Sequence, residues 1–330
     1  MRTFLLALLL LLGVIFIFGR LTEVEEIGRT LQRGDLRFIL LAFLVEAIWL
    51  LNVAASYRAI YRTIGLKEKL RNLFLAAAGA NFINVVAPTA GMGGMAVFVS
   101  EARRRGYSAA RTTVAGVLYI LFDYLGFLCV LAFGLMILFR RNNLNSAELI
   151  ASAVLMLLAI FIGVLLFLGM RSTDALASVL AWLARLVNHL LHPFLRRPYL
   201  SEGRAREFAH DAREGLREIH SKPESLLVPV GLALSNKILL ISILLLMFLA
   251  FNVPLSPGTL IAGFSVAYLF FIVSPTPAGV GIVEGALAFA LHSMYIPLSA
   301  AAVIALSYRG ITFWVPMAFG GIALRVLQQR

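Results

Sequence analysis

The chain has 330 residues, of which 61% are hydrophobic and only 14% charged, with a mean hydropathy of +0.91. Soluble domains carry about 25% charged residues, so a soluble enzyme or binding module is excluded and an all-α polytopic membrane protein is expected. The net charge of +12 does not point to nucleic acid, because the basic residues stand in short loops beside apolar segments, where they set membrane orientation.

In chain order, Arg2 and the apolar run behind it imitate a signal peptide, but no small-residue cleavage site precedes Arg20. An uncleaved spanning helix over 3–19 is therefore expected. Further runs long enough to cross lie at about 38–57, 112–139, 149–170, 226–251 and 300–324, which makes about six full spans. Two more apolar segments, 72–100 and 260–295, are interrupted by "VAPTAGMGG" at 86–94 and "VSPTPAGVG" at 273–281. Each half is about 12 to 18 residues, mostly short of a span, so each segment is a re-entrant broken-helix hairpin or a kinked helix.

Loop charge separates these options, because Lys and Arg collect on the cytoplasmic side and every added crossing switches the side of all later loops. If both interrupted segments enter and leave on one side, 21 basic residues fall inside and 6 outside. The cytoplasmic set comprises both termini, 58–71, 101–111 and 171–224, and the outer loops are 20–37, 140–141, 252–259 and 296–299. A single crossing by 72–100 would instead put the "ARRRGYSAAR" run outside, so the hairpin reading is preferred. The expected location is the cell (cytoplasmic) membrane, multi-pass, with both termini cytoplasmic.

Residues 171–224 form the one large hydrophilic insert, with nine basic and seven acidic residues. An apolar stripe from Leu176 through Val179, Leu180, Leu183, Leu186, Val187 and Leu190 predicts a helix lying on the membrane surface. A thinner stripe, Phe208, Ala212, Leu216 and Ile219, predicts a second, strongly charged helix.

The two interruptions share Val-x-Pro-Thr and then Ala-Gly-x-Gly, and both occupy the same place in a series of helix, helix, hairpin, helix. The chain therefore divides into two membrane repeats, 1–147 and 148–330, the second carrying the insert, with topology inverted between them. The hairpin tips would meet near the midplane. Pro88, Pro275 and Pro277 end helices by removing a donor, while Gly91, Gly93, Gly94, Gly279 and Gly281 allow positive φ and close backbone approach. Backbone opened inside a membrane survives only beside protein or water, and N–H groups at the start of the following half-helix attract anions. Proline and glycine also kink ordinary packed helices, and Asn81, Asn84, Thr89, Ser274 and Thr276 either meet a head group or satisfy the loosened backbone.

Glu46, Asp123, Lys237, Glu284 and Arg309 lie in or near apolar segments, where a central charge costs about 2.5 to 3.5 kcal/mol on insertion scales. Both signs are present, so the five either line a polar cavity or form ion pairs between helices. Arg309 is the preferred phosphate ligand, because its planar fork grips two oxygens where Lys237 offers a point charge. No acid or cysteine stands near the scattered histidines at metal-site spacing, and no nucleotide-binding fingerprint occurs, so neither metal nor cofactor is expected. Cys129 is single, which excludes an intramolecular disulfide framework.

The segments "APTAGMGGMAVFVSEARRRGYSAARTTVAGVLYILFDYLG" and "SPTPAGVGIVEGALAFAL…SAAAVIALSYRGITFWVP" resemble the lysylphosphatidylglycerol synthase transmembrane-region family, also called flippase-like proteins. The resemblance covers nearly the whole chain and takes in both hairpin motifs, Glu284 and the Arg309 "YRGITFW" element. It implies an integral lipid-translocating unit that elsewhere is fused to a cytoplasmic aminoacyl-transferase domain. Here the sequence stops at Arg330, which argues against synthesis. The expected function is therefore a lipid translocase and not an enzyme. Its partners would be membrane lipids: an anionic or zwitterionic phospholipid, or an aminoacylated or polyprenyl lipid. A partner synthase or glycosyltransferase is a further expectation. The alternatives are a membrane-embedded transferase with Glu284 or Asp123 as base, and a scaffold that recruits a synthase through the insert. Site expectations centre on Arg309, Glu284, Asp123, Glu46, Lys237, Pro88, Thr89, Gly91, Gly93, Pro275, Thr276, Pro277, Gly279 and Gly281.

Overall fold

The computed structural model describes residues 29–86, 92–142, 144, 146–195, 201–221, 223–274 and 276–329. The expected first span at 3–19 and the motif residues Pro88, Thr89, Gly91 and Pro275 lie outside them. The described chain is helical, with no strand. In order it forms α1 (Leu36–Thr63), α2 (Leu70–Val86), α3 (Met92–Arg104), α4 (Ala109–Arg140), α5 (Ser146–Arg171), α6 (Thr173–Leu195) and α7 (Glu202–Ser221). There follow α8 (Leu227–Ala250), α9 (Pro257–Val273), α10 (Ile282–Ser293), α11 (Leu298–Arg309) and α12 (Val315–Gln328), with a π-helical turn, Gly310–Trp314, joining the last two.

Five helices among the described residues are long and apolar enough to cross a membrane: α1, α4, α5, α8 with its preceding turn, and the continuous 298–328 unit. These are five of the six spans read from the sequence. The chain is a multi-pass all-α membrane protein. Exposed leucine, isoleucine and phenylalanine side chains line the outer faces of α1 and α5, a surface that only lipid would cover at low cost.

Each interrupted segment is a pair of short helices, α2 with α3 and α9 with α10. None of the four exceeds 17 residues. At 1.5 Å per residue the longest reaches about 25 Å, short of the roughly 30 Å hydrocarbon core. Side-chain contacts fix where the first pair begins and ends. The loop before α2 and the loop after α3 are bound together by Arg105 Nη1 to Glu68 Oε1 at 2.9 Å and by the Tyr107 hydroxyl donating to the Lys67 carbonyl at 2.6 Å. Entry and exit thus share one end of the molecule, as a hairpin requires and a crossing forbids. The same end holds the start of α8, through Thr63 Oγ1 to the Ser225 carbonyl, and the end of α12, through Arg104 Nη1 to the Leu327 carbonyl. At the opposite end Asp35 N–H donates to the Ala250 carbonyl, and Arg141 donates to Ser256 and Thr259 at the start of α9.

The packing is reciprocal. α1 lies against α8, while α2 lies against α12 and α9 lies against α4. Exchanging the 36–140 series with the 227–328 series maps this set of contacts onto itself. The central pair runs antiparallel, with residue 35 beside 250, Asn52 hydrogen-bonded to Asn236, and residue 63 beside 225. Small residues let the swapped pairs approach closely. A Cβ on Gly320 of α12 would lie 2.5 Å from the Ala78 carbonyl of α2, and one on Gly134 of α4 would strike Ser265 of α9.

The insert forms two helices, as its two stripes predict, and α6 packs inward through a face other than most of its apolar stripe. Leu176, Ala177, Ala181 and Ala184 are buried, whereas Trp182 and Leu186 are exposed. The reason is the neighbour: α7 offers Ala209, Ala212 and Leu216, all buried, and α6 and α7 pack together. Alanine faces bring the two backbones close, which leaves the larger apolar side chains outward.

Candidate functional site

The site is built where the end of α2 meets the turn of the second hairpin. Val85 at the end of α2, Val280 in the second turn, and Phe313 and Met317 behind the π turn form one small apolar cluster, against which Phe82, Ala278 and Trp314 pack. A π turn in the midst of a spanning helix often marks a functional position, because one helical repeat is opened and a side chain re-aimed. Here it begins immediately after Arg309.

The second turn is a tight reversal. Ala278, Gly279 and Gly281 have φ of 51°, 72° and 82°, a left-handed run in which Ala278 alone carries a Cβ. A Cβ at Gly279 would strike Val283 as well as strain the backbone. Thr276 closes the turn: its hydroxyl donates to the Val280 carbonyl, its N–H donates to Ser274 Oγ, and its carbonyl accepts from Gly279 N–H. Pro277 opens the short 3₁₀ turn Pro277–Gly279. Thr276 therefore serves the loosened backbone, one of the two roles the sequence left open.

Arg309 fastens this turn to α11. Its Nε donates to Glu284 Oε1 at 3.0 Å and its Nη2 to the Ala278 carbonyl at 2.8 Å, while its guanidinium carbon lies 4.9 Å from the centre of the Phe313 ring. The second carboxylate oxygen of Glu284 accepts from Gly281 N–H at 2.7 Å, so this acid caps the start of α10. The helix N-terminus that the sequence offered to an anion is thus already seated on a carboxylate. Arg309 and Glu284 keep only 6% and 13% of their side-chain surface exposed, so little solvent screens the pair.

In the first hairpin Gly94 N–H donates to Asn84 Oδ1 at 2.7 Å, tying α3 to α2 across the tip. A Cβ on Gly94 would come within 2.6 Å of that amide. Gly93 stands one residue earlier, in the first turn of α3.

The five intramembrane charges separate into two ion pairs and one unpartnered acid. Arg309 pairs with Glu284. Lys237 of α8 donates to Asp123 Oδ1 of α4 at 2.6 Å and to the Tyr268 hydroxyl of α9 at 2.6 Å, and Tyr268 donates to Asp123 Oδ2 at 2.9 Å. The Lys237 ammonium also lies 3.9 Å from the centre of the Tyr268 ring. Glu46 on α1 is fully buried, and neither of its oxygens has a hydrogen-bond partner among the described residues. Tyr268, the Asn52–Asn236 pair and the π turn were not singled out in the sequence. Tyrosine and asparagine in a span are common, and only their partners mark these three features.

The model of the family described as "Lysylphosphatidylglycerol synthase TM region" matches residues 4–320. The chain is also similar to a UPF0104 membrane protein of Methanothermobacter thermautotrophicus, 24% identical over 327 residues, which cover 96% of this chain and 94% of that protein.

Proposed function

Because this chain belongs to the lysylphosphatidylglycerol synthase transmembrane-region family, we propose that it translocates lipid, carrying a phosphate-bearing head group between the leaflets. It acts without a covalent step, as a transporter and not an enzyme. The observation that carries the reading is the Glu284 carboxylate, which sits on the N-terminus of a broken helix and on an arginine beside the junction of α2 with the second hairpin turn. Phosphate is recognised by the same pair of donors, a helix N-terminus and a guanidinium fork. An incoming head group therefore exchanges with Glu284: its phosphate takes Arg309 and the Gly281 N–H, the carboxylate swings away, and the turn at Ala278 loses one of its fastenings. Acyl chains stay in the surrounding bilayer, so only a lateral groove is needed.

The two units, 1–147 and 148–330, act as inverted repeats, and the antiparallel α1–α8 pair is the axis about which they rock. The protein resides in the cytoplasmic membrane with both termini inside, in keeping with its basic loops. The substrate is a phospholipid or a related lipid of the same head-group chemistry. Lipids that copurify with the protein, identified by mass spectrometry, test this site. Wild type should retain phosphate-bearing lipid and Arg309→Ala should lose it. Equal retention by both would show that the lipid is held elsewhere.

A further inference from the structure

The inward stripe of α1 runs Ile39, Ala42, Glu46, Leu50, Val53, Tyr57, all buried and spaced by three or four residues. One member, Glu46, is an acid, and its carboxylate has no hydrogen-bond partner among the described residues. Glu46 lies ten residues from the start of α1, about 15 Å along its axis, near the middle of a hydrocarbon core roughly 30 Å thick. The contacts of 35 with 250 and 52 with 236 set it level with the Leu240 to Leu244 stretch of α8, which is apolar but for Ser242, and the Ser242 hydroxyl is spent on the Ile238 carbonyl of its own helix. An ionised carboxylate left unpaired in such surroundings costs several kcal/mol, so the charge must be neutralised by something the site takes up.

The charged groups on the neighbouring elements are committed or distant. Lys237 of α8 and Asp123 of α4 hold each other, and Tyr119 of α4 stacks on Tyr57. Arg309 of α11 holds Glu284. Arg71 of α2, Glu224 and the described charges of α7 belong to the end of α1 marked by the Thr63–Ser225 contact, and Arg37 and Arg140 to the opposite end. Tyr308 of α11 is an ionisable group within electrostatic reach of Glu46. Two further buried polar atoms without partners among the described residues lie close in sequence to this junction: Trp49 Nε1, three residues along α1 from Glu46, and Ser307 Oγ, next to Tyr308. The last two residues of α11 thus connect two sites: Tyr308 lies within electrostatic reach of Glu46, and Arg309 holds the hairpin turn.

We propose that Glu46 is a proton-binding site that couples lipid movement to a proton gradient, a proposal that rests on the translocase reading. When the carboxylate takes a proton from water reaching it from one side, the oxygen gains an O–H and loses its charge. When that proton leaves to the other side, the charge returns and must be accommodated by a shift at Tyr308. That shift passes to Arg309, the next residue, and so to the turn that a head group unfastens. The π turn 310–314, where a helical repeat is already open, lets the end of α11 move without breaking the span.

The test uses the full-length protein in sodium-free vesicles of phosphatidylethanolamine and phosphatidylglycerol with a trace of head-group-labelled phosphatidylglycerol, the membrane potential clamped. With one proton per lipid, a one-unit pH gradient shifts the steady-state ratio of label between leaflets up to about tenfold, the ratio equivalent of that driving force. Wild type should show this shift and Glu46→Gln should show none, while infrared difference spectra on changing pH lose one protonated-carboxyl band in Glu46→Gln. A leaflet ratio that ignores the gradient in wild type, while exchange itself proceeds, overturns proton coupling and leaves the translocase reading standing. Dependence on added sodium overturns it in favour of a metal cation. Exchange no faster than in empty vesicles overturns both, and an unchanged infrared band in Glu46→Gln removes the proton from Glu46 independently of transport.

Discussion

Asp123→Asn removes the charge beneath a lysine that has nowhere else to go. Lys237 keeps 1% of its side-chain surface exposed and Asp123 keeps 15%, with 2.6 Å between them. The substitution leaves the ammonium with the Tyr268 hydroxyl and ring, neither of which carries a negative charge. Breaking a buried pair by neutralising one partner costs about 3–5 kcal/mol, and the residual exposure of Asp123 places this case near about 3 kcal/mol. Replacing both partners with apolar side chains of similar size removes the unpaired charge, so Asp123→Leu with Lys237→Met should recover most of the loss. Equilibrium unfolding in mixed micelles, followed by tryptophan fluorescence, measures both. If Asp123→Asn unfolds where wild type does, or if the double variant is as weak as the single one, then the pair does not hold α4, α8 and α9 together and a substrate role for Asp123 and Lys237 regains ground.

Other consequences are as specific. Arg309→Lys keeps the charge but cannot reach both Glu284 and the Ala278 carbonyl, so lipid exchange should fall well below wild type while the protein stays folded; full activity would reduce Arg309 to a point charge. Asn84→Ala deprives Gly94 N–H of its acceptor and should cost about 1 kcal/mol in the same unfolding assay. Gly279→Ala, forced to φ of 72° against Val283, should cost about 1–3 kcal/mol, whereas Gly231→Ala, with open space around its Cβ position, should not destabilise. Cysteines at Arg103 and Tyr295, in a Cys129→Ser background, should label from opposite sides of the membrane with an impermeant reagent; labelling from one side would remove the hairpin arrangement.

Spans and hairpins were legible because they depend on quantities summed along the chain. Hydropathy over about 20 residues located the helices to within a few residues, as 112–139 against Ala109–Arg140 illustrates. Proline and glycine located both breaks, and the basic loops gathered at one end as the charge count required. What could not be read was the partnering of the charges. Lys237 lies 114 residues from Asp123 and Arg309 lies 25 from Glu284, and no periodicity connects such positions. A cavity lined by all five charged residues was as consistent with the sequence as the two pairs and the solitary Glu46 that the fold produces. The commitment of Glu284 to the α10 N-terminus was nearer to hand, since an acid three residues after Gly281 is a capping pattern. The face that α6 packs inward was not legible either, because the alanines of α7 select a strip other than its apolar stripe.

The most direct measurement of the central claim is exchange of a head-group-labelled phospholipid between leaflets of liposomes holding the purified protein, without ATP, read by chemical quenching of the outer leaflet. Wild type should bring label from the inner leaflet within reach of the quencher, and Arg309→Ala should stop where empty liposomes stop. If wild type and empty liposomes quench alike across anionic, zwitterionic, aminoacylated and polyprenyl lipids, with and without a proton gradient, the chain does not translocate lipid.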